Sequence, residues 1–238
     1  MKRRIDPTII IILAIMLYMN YRSGAFSNPR EWIMSMLIML PGIIVGLSFH
    51  EFAHGFVSYK LGDPTPKIQG RVTINPLAHI EPVGFIALLL CGFGWGIPVS
   101  IDPTYYKHKR RDELLVSLAG VVMNLIIAVV FTFFIRLLFA AGIEGNDLGD
   151  ILIRIFVQVV VINLVLMIFN LIPVPPLDGF GIITQIFDLR KYDWYYKVYN
   201  NGFYILLVLI LFGITDRILS PAVSAMCGVL CKYIIGIY

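Results

Sequence analysis

Charged residues are scarce in this chain of 238 residues. They make up only 14% of it, whereas hydrophobic residues make up 58%, and the mean hydropathy is +0.83. Soluble domains contain on average about a quarter charged residues. The scarcity of charge excludes a disordered protein and argues strongly against a soluble domain, so a membrane protein is the interpretation that we follow.

Cysteine is also rare, since Cys91, Cys227 and Cys231 are the only ones. An odd number of cysteines in apolar surroundings does not predict the disulfide framework of a small secreted protein. Cys227 and Cys231 have a spacing that a helical metal pair would use, but we favour buried thiols on an apolar helix face.

The sequence has no internal repeat, no low-complexity tract and no glycine pattern of the Rossmann or P-loop type. Its net charge is only +4, and the basic residues stand in short clusters beside apolar runs. Such clusters set the orientation of membrane helices. We therefore predict no nucleic-acid partner, and we expect the lipid bilayer to surround the chain.

The apolar runs predict an all-α polytopic membrane protein with about five to six transmembrane helices. The run at 8–19 is short, so it is either a retained first helix, which we favour, or part of a signal peptide. The run at 221–238 either crosses the membrane or lies at its surface. The other predicted helices fall at 32–61, 113–141, 151–170 and 202–219.

The apolar stretch 83–99 differs from these runs, because its second half alternates glycine with aromatic residues before Pro98. Glycine and proline do not suit the interior of a helix. We therefore expect a re-entrant glycine-rich segment that enters and leaves the membrane on the same side. Irregular backbone at that depth is tolerated only where it packs against protein or lines a wet cavity, so it indicates an internal site.

The charges of the loops predict the orientation of the chain. Loops 62–112 and 180–198 carry clusters of lysine and arginine, whereas loop 142–150 has acidic residues and no basic one. Basic loops remain on the cytoplasmic side. We expect a multi-pass protein of the cell membrane with the two basic loops inside and 142–150 outside.

The strongest chemical signal is His50-Glu51-x-x-His54 within the predicted helix 32–61. A spacing of four puts both imidazoles on one helical face, one turn apart, where both can bind a single zinc ion. The glutamate between them can reach the metal-bound water. Ionisable side chains inside an apolar span cost much free energy, which favours a metal site over a chance match.

A catalytic zinc ion needs a third protein ligand and an open position for water. Asp178 is the best candidate, because it follows the proline-rich stretch that ends the helix at Asn170. Taken alone, Asp178 before Gly179 would indicate an ordinary turn. Combined with the histidine pair, the ligand role is the better interpretation. The metal would lie on the order of 10 to 15 Å below the inner surface, within reach of cytoplasmic water.

Weaker predictions concern four more residues in or near the membrane. Two roles stay open for Asn124, which shares a helix face with Gly120: it organises the site, or it only joins helices. His79 falls in the inner loop, where we expect a solvated side chain. Gly42 and Gly46, four residues apart, would let another helix approach closely.

These motifs resemble the site-2 proteases, the zinc metalloproteases of peptidase family M50 that cut within membranes. The resemblance rests on His50-Glu51-x-x-His54 and on the ten residues from Asn170 to Gly179, which read NLIPVPPLDG. Weaker matches stand at 75–79, 92–96 and 119–124, so that the resemblance covers about residues 40–185.

By this resemblance, His50, His54 and Asp178 would bind one zinc ion per chain. Glu51 would be the catalytic base, and Asn170 would help to hold the substrate or the transition state. The implied activity is zinc-dependent cleavage of a peptide bond in or near a transmembrane segment of a membrane protein. The family's glycine-rich segment would help to present the unwound substrate.

The resemblance also implies a domain organisation. We expect one membrane-embedded metalloprotease domain over 1–238, of the compact type without PDZ or nucleotide-sensing CBS domains, with further helices at 199–238. Two departures are visible, because Val121 follows Gly120 where proline is common in the family, and Glu81 stands where aspartate is common. Neither departure removes a proposed ligand.

Two other functions stay open beside the protease. A transporter of zinc or another metal ion would also need intramembrane histidines and an aspartate, but not a glutamate beside the first ligand. A catalytically inactive relative would only bind transmembrane partners, although every residue that the reaction requires is present in this chain.

Overall fold

The computed structural model describes residues 14–15, 17–18, 20–22, 24, 26–91 and 94–236. Within these ranges the chain is largely helical, and the only β pairing is a single antiparallel bridge between Ile80 and Gly96. The main helices in this part of the chain are α1 (Pro29–Lys60), α2 (Pro82–Cys91), α3 (Lys109–Ala140), α4 (Asp147–Asn170), α5 (Asp178–Phe187), α6 (Trp194–Leu211) and α7 (Ile214–Leu230).

Four helical segments of the described chain are long and apolar enough to cross a membrane: α1, α3, α4 and the segment Ile214–Ile235. This finding confirms the prediction of an all-α polytopic membrane protein. The predicted run at 8–19 falls largely outside the described residues. Helix α6, which holds the first part of the predicted helix 202–219, is not among the four.

Polar residues begin the membrane helices earlier than the apolar runs predicted. The Asn28 side chain accepts a hydrogen bond from the Glu31 N–H at the start of α1, and Asn146 accepts one from the Leu148 N–H at the start of α4. Such caps satisfy backbone donors that have no partner within the helix. The helices therefore extend outward beyond the apolar runs that marked them in the sequence.

Helices α1, α3 and α4 pack against one another at the centre of the molecule, and α7 lies against α3 and α4. The close approach predicted at Gly42 and Gly46 is confirmed, and the approaching helix is α4. A Cβ atom at Gly42 would lie 3.1 Å from Val159 Cα, and one at Gly46 would lie 2.6 Å from Leu166 Cδ1. Helix α4 thus lies against α1 one turn before His50.

The described residues of 83–99 run away from the start of α2 and then return beside it. After α2, Gly96 pairs with Ile80, and the Ile97 N–H donates to the His79 carbonyl over 2.7 Å. The chain therefore comes back beside the residues from which α2 began. This is the path expected of a re-entrant segment.

His79 is buried, with only 1% of its surface exposed. Its Nε2 atom bonds the Thr73 carbonyl oxygen over 2.8 Å, while its backbone carbonyl holds the segment at Ile97. The prediction of a solvated His79 is wrong, because the loop that contains it folds back on the segment that follows α2 and covers the ring.

The C-terminal helices divide at Gly213, whereas the predicted helix 202–219 would have continued to Leu219. Gly213 adopts a positive φ of 65°, which ends α6 and lets α7 begin at Ile214. The predicted division before Pro221 is wrong, since that proline lies inside α7. Neighbouring helices make proline tolerable within apolar helices at membrane depth. The length of Ile214–Ile235 favours a crossing over a surface position.

Candidate metal centre

Three side chains from two helices converge on one point. His50 and His54 lie on α1, and Asp178 is the first residue of α5. The two Nε2 atoms are 3.0 Å apart, and Asp178 Oδ2 lies 3.3 Å from the first and 3.2 Å from the second. The three ligand atoms form a nearly equilateral triangle, as a shared metal ion requires.

The dimensions and chemistry of this triangle fit a zinc ion. With ligand bonds of about 2.0 Å, a tetrahedral ion separates its ligand atoms by about 3.3 Å. Asp178 Oδ2 is buried and has no hydrogen-bond partner among the described residues. Leaving such an oxygen unpaired costs free energy, and a bound cation would remove that cost.

Both imidazoles are held by the nitrogen that faces away from the triangle. His50 Nδ1 lies 2.6 Å from Asn124 Oδ1, and His54 Nδ1 lies 2.7 Å from the Val116 carbonyl oxygen. These oxygens can only accept, so each Nδ1 carries the hydrogen and each Nε2 keeps its lone pair for the metal. Bonds of this kind fix the orientation of metal-binding histidines.

Helix α3 approaches the histidine pair at Gly120. A Cβ atom at this position would lie 2.4 Å from His50 Cε1 and 2.5 Å from His54 Nε2. Any side chain would therefore enter the space of the ligands. Glycine is the residue that permits this approach of α3.

The end of α4 places Asp178 at the triangle. After Asn170, the Val174 N–H donates to the Ile172 carbonyl and the chain turns back toward α5. A Cβ atom at Gly179 would lie only 2.3 Å from the Leu171 carbonyl oxygen. The first turn of α5 therefore packs directly on the last turn of α4.

The other end of α5 is bound to the start of α3. Arg110 donates to the carbonyls of Gln185 and Ile186. Buried Glu113 accepts from Gln185 Nε2 over 2.6 Å and pairs with Arg190. The hydrogen bonds that Arg190 donates to Glu113 raise the pKa of Arg190 above its ordinary range.

This second attachment of α5 was not predicted from the sequence. The signal that was present is Glu113, an acidic residue at the point where a basic cluster passes into an apolar run. Gln185 and Arg190 gave no signal, because their partner lies more than seventy positions earlier in the chain.

Glu51 lies beside the triangle. Its Oε2 atom accepts a hydrogen bond from the Val99 N–H over 2.9 Å. Val99 belongs to the stretch that follows α2, so the returning segment holds the glutamate next to the histidine pair.

A cavity of about 200 Å³ brings the five predicted site residues together. Asn170 lies on its wall and uses one of its two amide hydrogens on the Leu166 carbonyl, over 2.9 Å. Among the described residues, the second amide hydrogen has no hydrogen-bond acceptor. The lining residues are His50, Glu51, His54, Pro98, Val99, Ile101, Val116, Ser117, Asn170, Pro176 and Asp178.

The remaining sequence candidates have separate positions. Asn124 fills both of the roles left open for it, since it bonds His50 and also donates to the Gly46 carbonyl over 3.1 Å. Cys227 and Cys231 are free thiols on the C-terminal helical segment, as expected, but they are half-buried rather than buried. They do not belong to the triangle.

Comparisons with known proteins point to one family. The model of peptidase family M50 matches residues 37–213. YwhC of Bacillus subtilis is 39% identical over 187 residues, which are 77% of this chain and 84% of that protein. MJ0611 of Methanocaldococcus jannaschii is 31% identical over 180 residues, covering 75% and 82% of the two chains. Rip2 of Mycolicibacterium smegmatis is 25% identical over 225 residues, covering 90% and 83%.

The names of these three relatives describe them as zinc metalloproteases. No solved structure matches the chain.

Proposed function

The chain belongs to peptidase family M50, and from this premise we propose that it is a zinc-dependent endopeptidase acting inside the membrane. Its substrate is a membrane protein, cut at a peptide bond in or near a transmembrane segment. The observation that carries the proposal is the meeting of His50, His54, Asp178 and Glu51 at one cavity between apolar helices.

One zinc ion per chain would be held by Nε2 of His50, Nε2 of His54 and Oδ2 of Asp178. Three protein ligands leave a fourth position for water, which is the arrangement of catalytic zinc sites. When bound, zinc lowers the pKa of its water to about 7 and polarises the scissile carbonyl.

Glu51 is the general base in this proposal. The Val99 N–H holds one of its carboxylate oxygens, so that the group stays beside the ligands. The carboxylate takes the proton of the attacking water and returns it to the leaving amine nitrogen. Asn170 uses its second amide hydrogen to hold the substrate carbonyl, or the charge that develops on it.

The surroundings of the cavity suggest how a substrate is held. Pro98 and Val99 line the cavity with backbone that is not helical. A transmembrane substrate must expose a carbonyl by unwinding, and backbone outside a helix can pair with such a strand beside the base. The basic residues of the loops near the end of α1 favour a cavity that opens toward the cytoplasm of the cell.

Zinc content of the detergent-purified chain tests the metal site without knowledge of the substrate. We expect about one zinc per chain in wild type, and loss of zinc in His54→Ala and in Asp178→Ala. Glu51→Gln should keep its zinc but lose all cleavage of any membrane substrate. Zinc binding that is indifferent to both ligand changes, or turnover by Glu51→Gln, would contradict the proposal.

A liposome experiment separates the protease from a metal-ion transporter. A transporter would carry zinc across the bilayer in wild type and in Glu51→Gln. The protease predicts no zinc flux in either.

A further inference from the structure

A line of buried amides leads from His50 away from the cavity. Asn124, on α3, accepts the His50 Nδ1 hydrogen and donates through Nδ2 to Asn163 Oδ1 over 2.9 Å. Asn163, on α4, donates in turn to the Val159 carbonyl over 2.8 Å. Both asparagines have no exposed surface. Among the described residues, Asn163 makes no hydrogen bond to the proposed metal ligands, and the reaction proposed above does not use it.

Backbone carbonyls fix the direction of this line. The Val159 carbonyl can only accept, so it must face the NH₂ group of Asn163, and Asn163 Oδ1 then faces Asn124. The Gly46 carbonyl and Asn163 Oδ1 are both acceptors, so they hold the NH₂ group of Asn124. The only atom that Asn124 can turn toward His50 is therefore Oδ1.

We propose that Asn163 is a positioning residue of the metal centre, which acts through Asn124 to hold the His50 imidazole with Nε2 toward the metal. This inference rests on the zinc site of the proposed function. Without Asn163, only the Gly46 carbonyl would hold the NH₂ group of Asn124, and the amide would turn more readily to present that group to Nδ1. Nδ1 would then have to accept, and the imidazole hydrogen would move to Nε2, where it blocks the lone pair needed by the metal.

Two substitutions separate this role from simple helix packing. Asn163→Leu keeps the branched shape of the side chain and removes both hydrogen bonds. Asn163→Ser can still bond the Val159 carbonyl on its own helix, as Thr132 bonds Ala128, but is too short to reach Asn124. Both variants should bind zinc about tenfold more weakly than wild type, in the range seen when partners of metal ligands are removed. The serine variant should lose less stability than the leucine variant.

Asn163→Asp is the conservative rescue. A carboxyl group at this buried position is favoured in its neutral form, which keeps one donor for Val159 and one acceptor for Asn124. Its zinc affinity should lie within about threefold of wild type, well inside the loss expected for the other two variants.

The measurement is zinc affinity of the full chain in detergent, by competition with a chelating indicator, beside thermal unfolding of the metal-free protein. Thr132→Val is the matched control, since Thr132 is another buried polar residue on α3, remote from the ligands. It should leave zinc affinity unchanged whatever its effect on stability. The double variant with Asn124→Leu should bind no more weakly than Asn124→Leu alone, because Asn163 acts through Asn124.

Three results would overturn the inference while the zinc site stands: wild-type affinity in Asn163→Leu or Asn163→Ser, additive losses in the double variant, or an equal loss in Thr132→Val. Failure of the proposed function looks different. In that case wild type itself binds no zinc, and the inference falls with it.

Discussion

Gly120 stands where α3 crosses α1, directly against the rings of His50 and His54. Gly42 and Gly46 face residues of α4, but the neighbours of Gly120 are atoms of the two imidazoles that would bind the metal. The same contact that packs the two helices therefore also shapes the site. Substitution here should act on metal binding more strongly than on folding.

We expect Gly120→Ala to weaken zinc binding by about a hundredfold, the upper range for changes beside metal ligands. Its Cβ atom would push the two imidazoles away from the triangle, and overpacking of this kind costs about 1 to 3 kcal/mol of stability. Zinc titration and thermal unfolding measure the two effects. Gly228→Ala is the control, because a Cβ atom at Gly228 meets nothing within 4 Å. Equal zinc affinity in the two variants would contradict the role of Gly120 in shaping the metal site.

At the scale of elements, α5 is held at both ends. Its first residue, Asp178, faces the histidines, and its last turn is bound to α3 by Arg110 and Glu113. The helix has only ten residues, so a shift at one end reaches the other. The start of α3 therefore contributes to the position of Asp178.

We expect Glu113→Ala to lower the free energy of unfolding by about 1 to 3 kcal/mol, because it leaves the buried Gln185 amide without its acceptor and Arg190 without its anion. Zinc should also bind more weakly, as α5 loses one support. Thermal unfolding and zinc titration check both parts. Exposed Glu144, in the loop 142–150, supplies the control Glu144→Ala, which should change neither stability nor zinc affinity. A stable variant with normal zinc affinity would show that α5 needs no support from α3.

Asp63, which is fully buried, joins the end of α1 to the loop before α3. Its carboxylate accepts from Ser58 Oγ and the Asp102 N–H over 2.8 Å each, and from the Thr65 N–H over 2.9 Å. Burial acts to raise the pKa of Asp63, but these hydrogen bonds outweigh it and hold the pKa below its ordinary value.

Because the pKa of Asp63 is lower in the folded chain than in the unfolded chain, its stabilisation is complete above about pH 4 and is lost as the pH falls below that value. Asp63→Asn should therefore be less stable than wild type at pH 7, and the difference should shrink in acid. Thermal midpoints from about pH 7 to pH 3 test this. A difference that stays constant over the whole range would refute the role of the ionised carboxylate. Glu144→Gln, on an exposed residue, should show no such trend.

At the scale of the whole molecule, the ligands come from two distant parts of the chain, α1 and α5. A metal ion that binds only the folded chain stabilises it by mass action. Zinc at a hundredfold excess over its dissociation constant should add about 2.7 kcal/mol to the free energy of unfolding. Thermal unfolding with and without zinc measures this, and Asp178→Ala should not respond. An equal response in that variant would place the stabilising zinc elsewhere.

The sequence predicted what depends on spacing along one helix or on a break in it. His50 and His54 share a helical face whatever surrounds them, and the prolines after Asn170 end α4 in any context. Contacts between distant residues could not be predicted in the same way. Asn163 and Gln185 find their partners on other helices, and no local pattern marks such a pair.

Two predictions made from the sequence were wrong for the same reason. Pro221 was expected to divide the C-terminal helices, but the helix continues through it and the division falls at Gly213. His79 was expected to meet water, but the path of the segment after α2 covers it. Both outcomes depend on neighbours that the sequence brings together only in the fold.

Mutation of a neighbouring residue can remove the Nδ1 acceptor of one histidine of the triangle but not that of the other. The Nδ1 hydrogen of His54 is accepted by the Val116 carbonyl, a backbone group that no substitution at that position removes. The Nδ1 hydrogen of His50 is accepted by a side chain that depends on a second side chain. A mutation of Asn124 or Asn163 can therefore change which nitrogen of His50 carries the hydrogen. No mutation of Val116 has this effect on His54, because the acceptor belongs to the backbone.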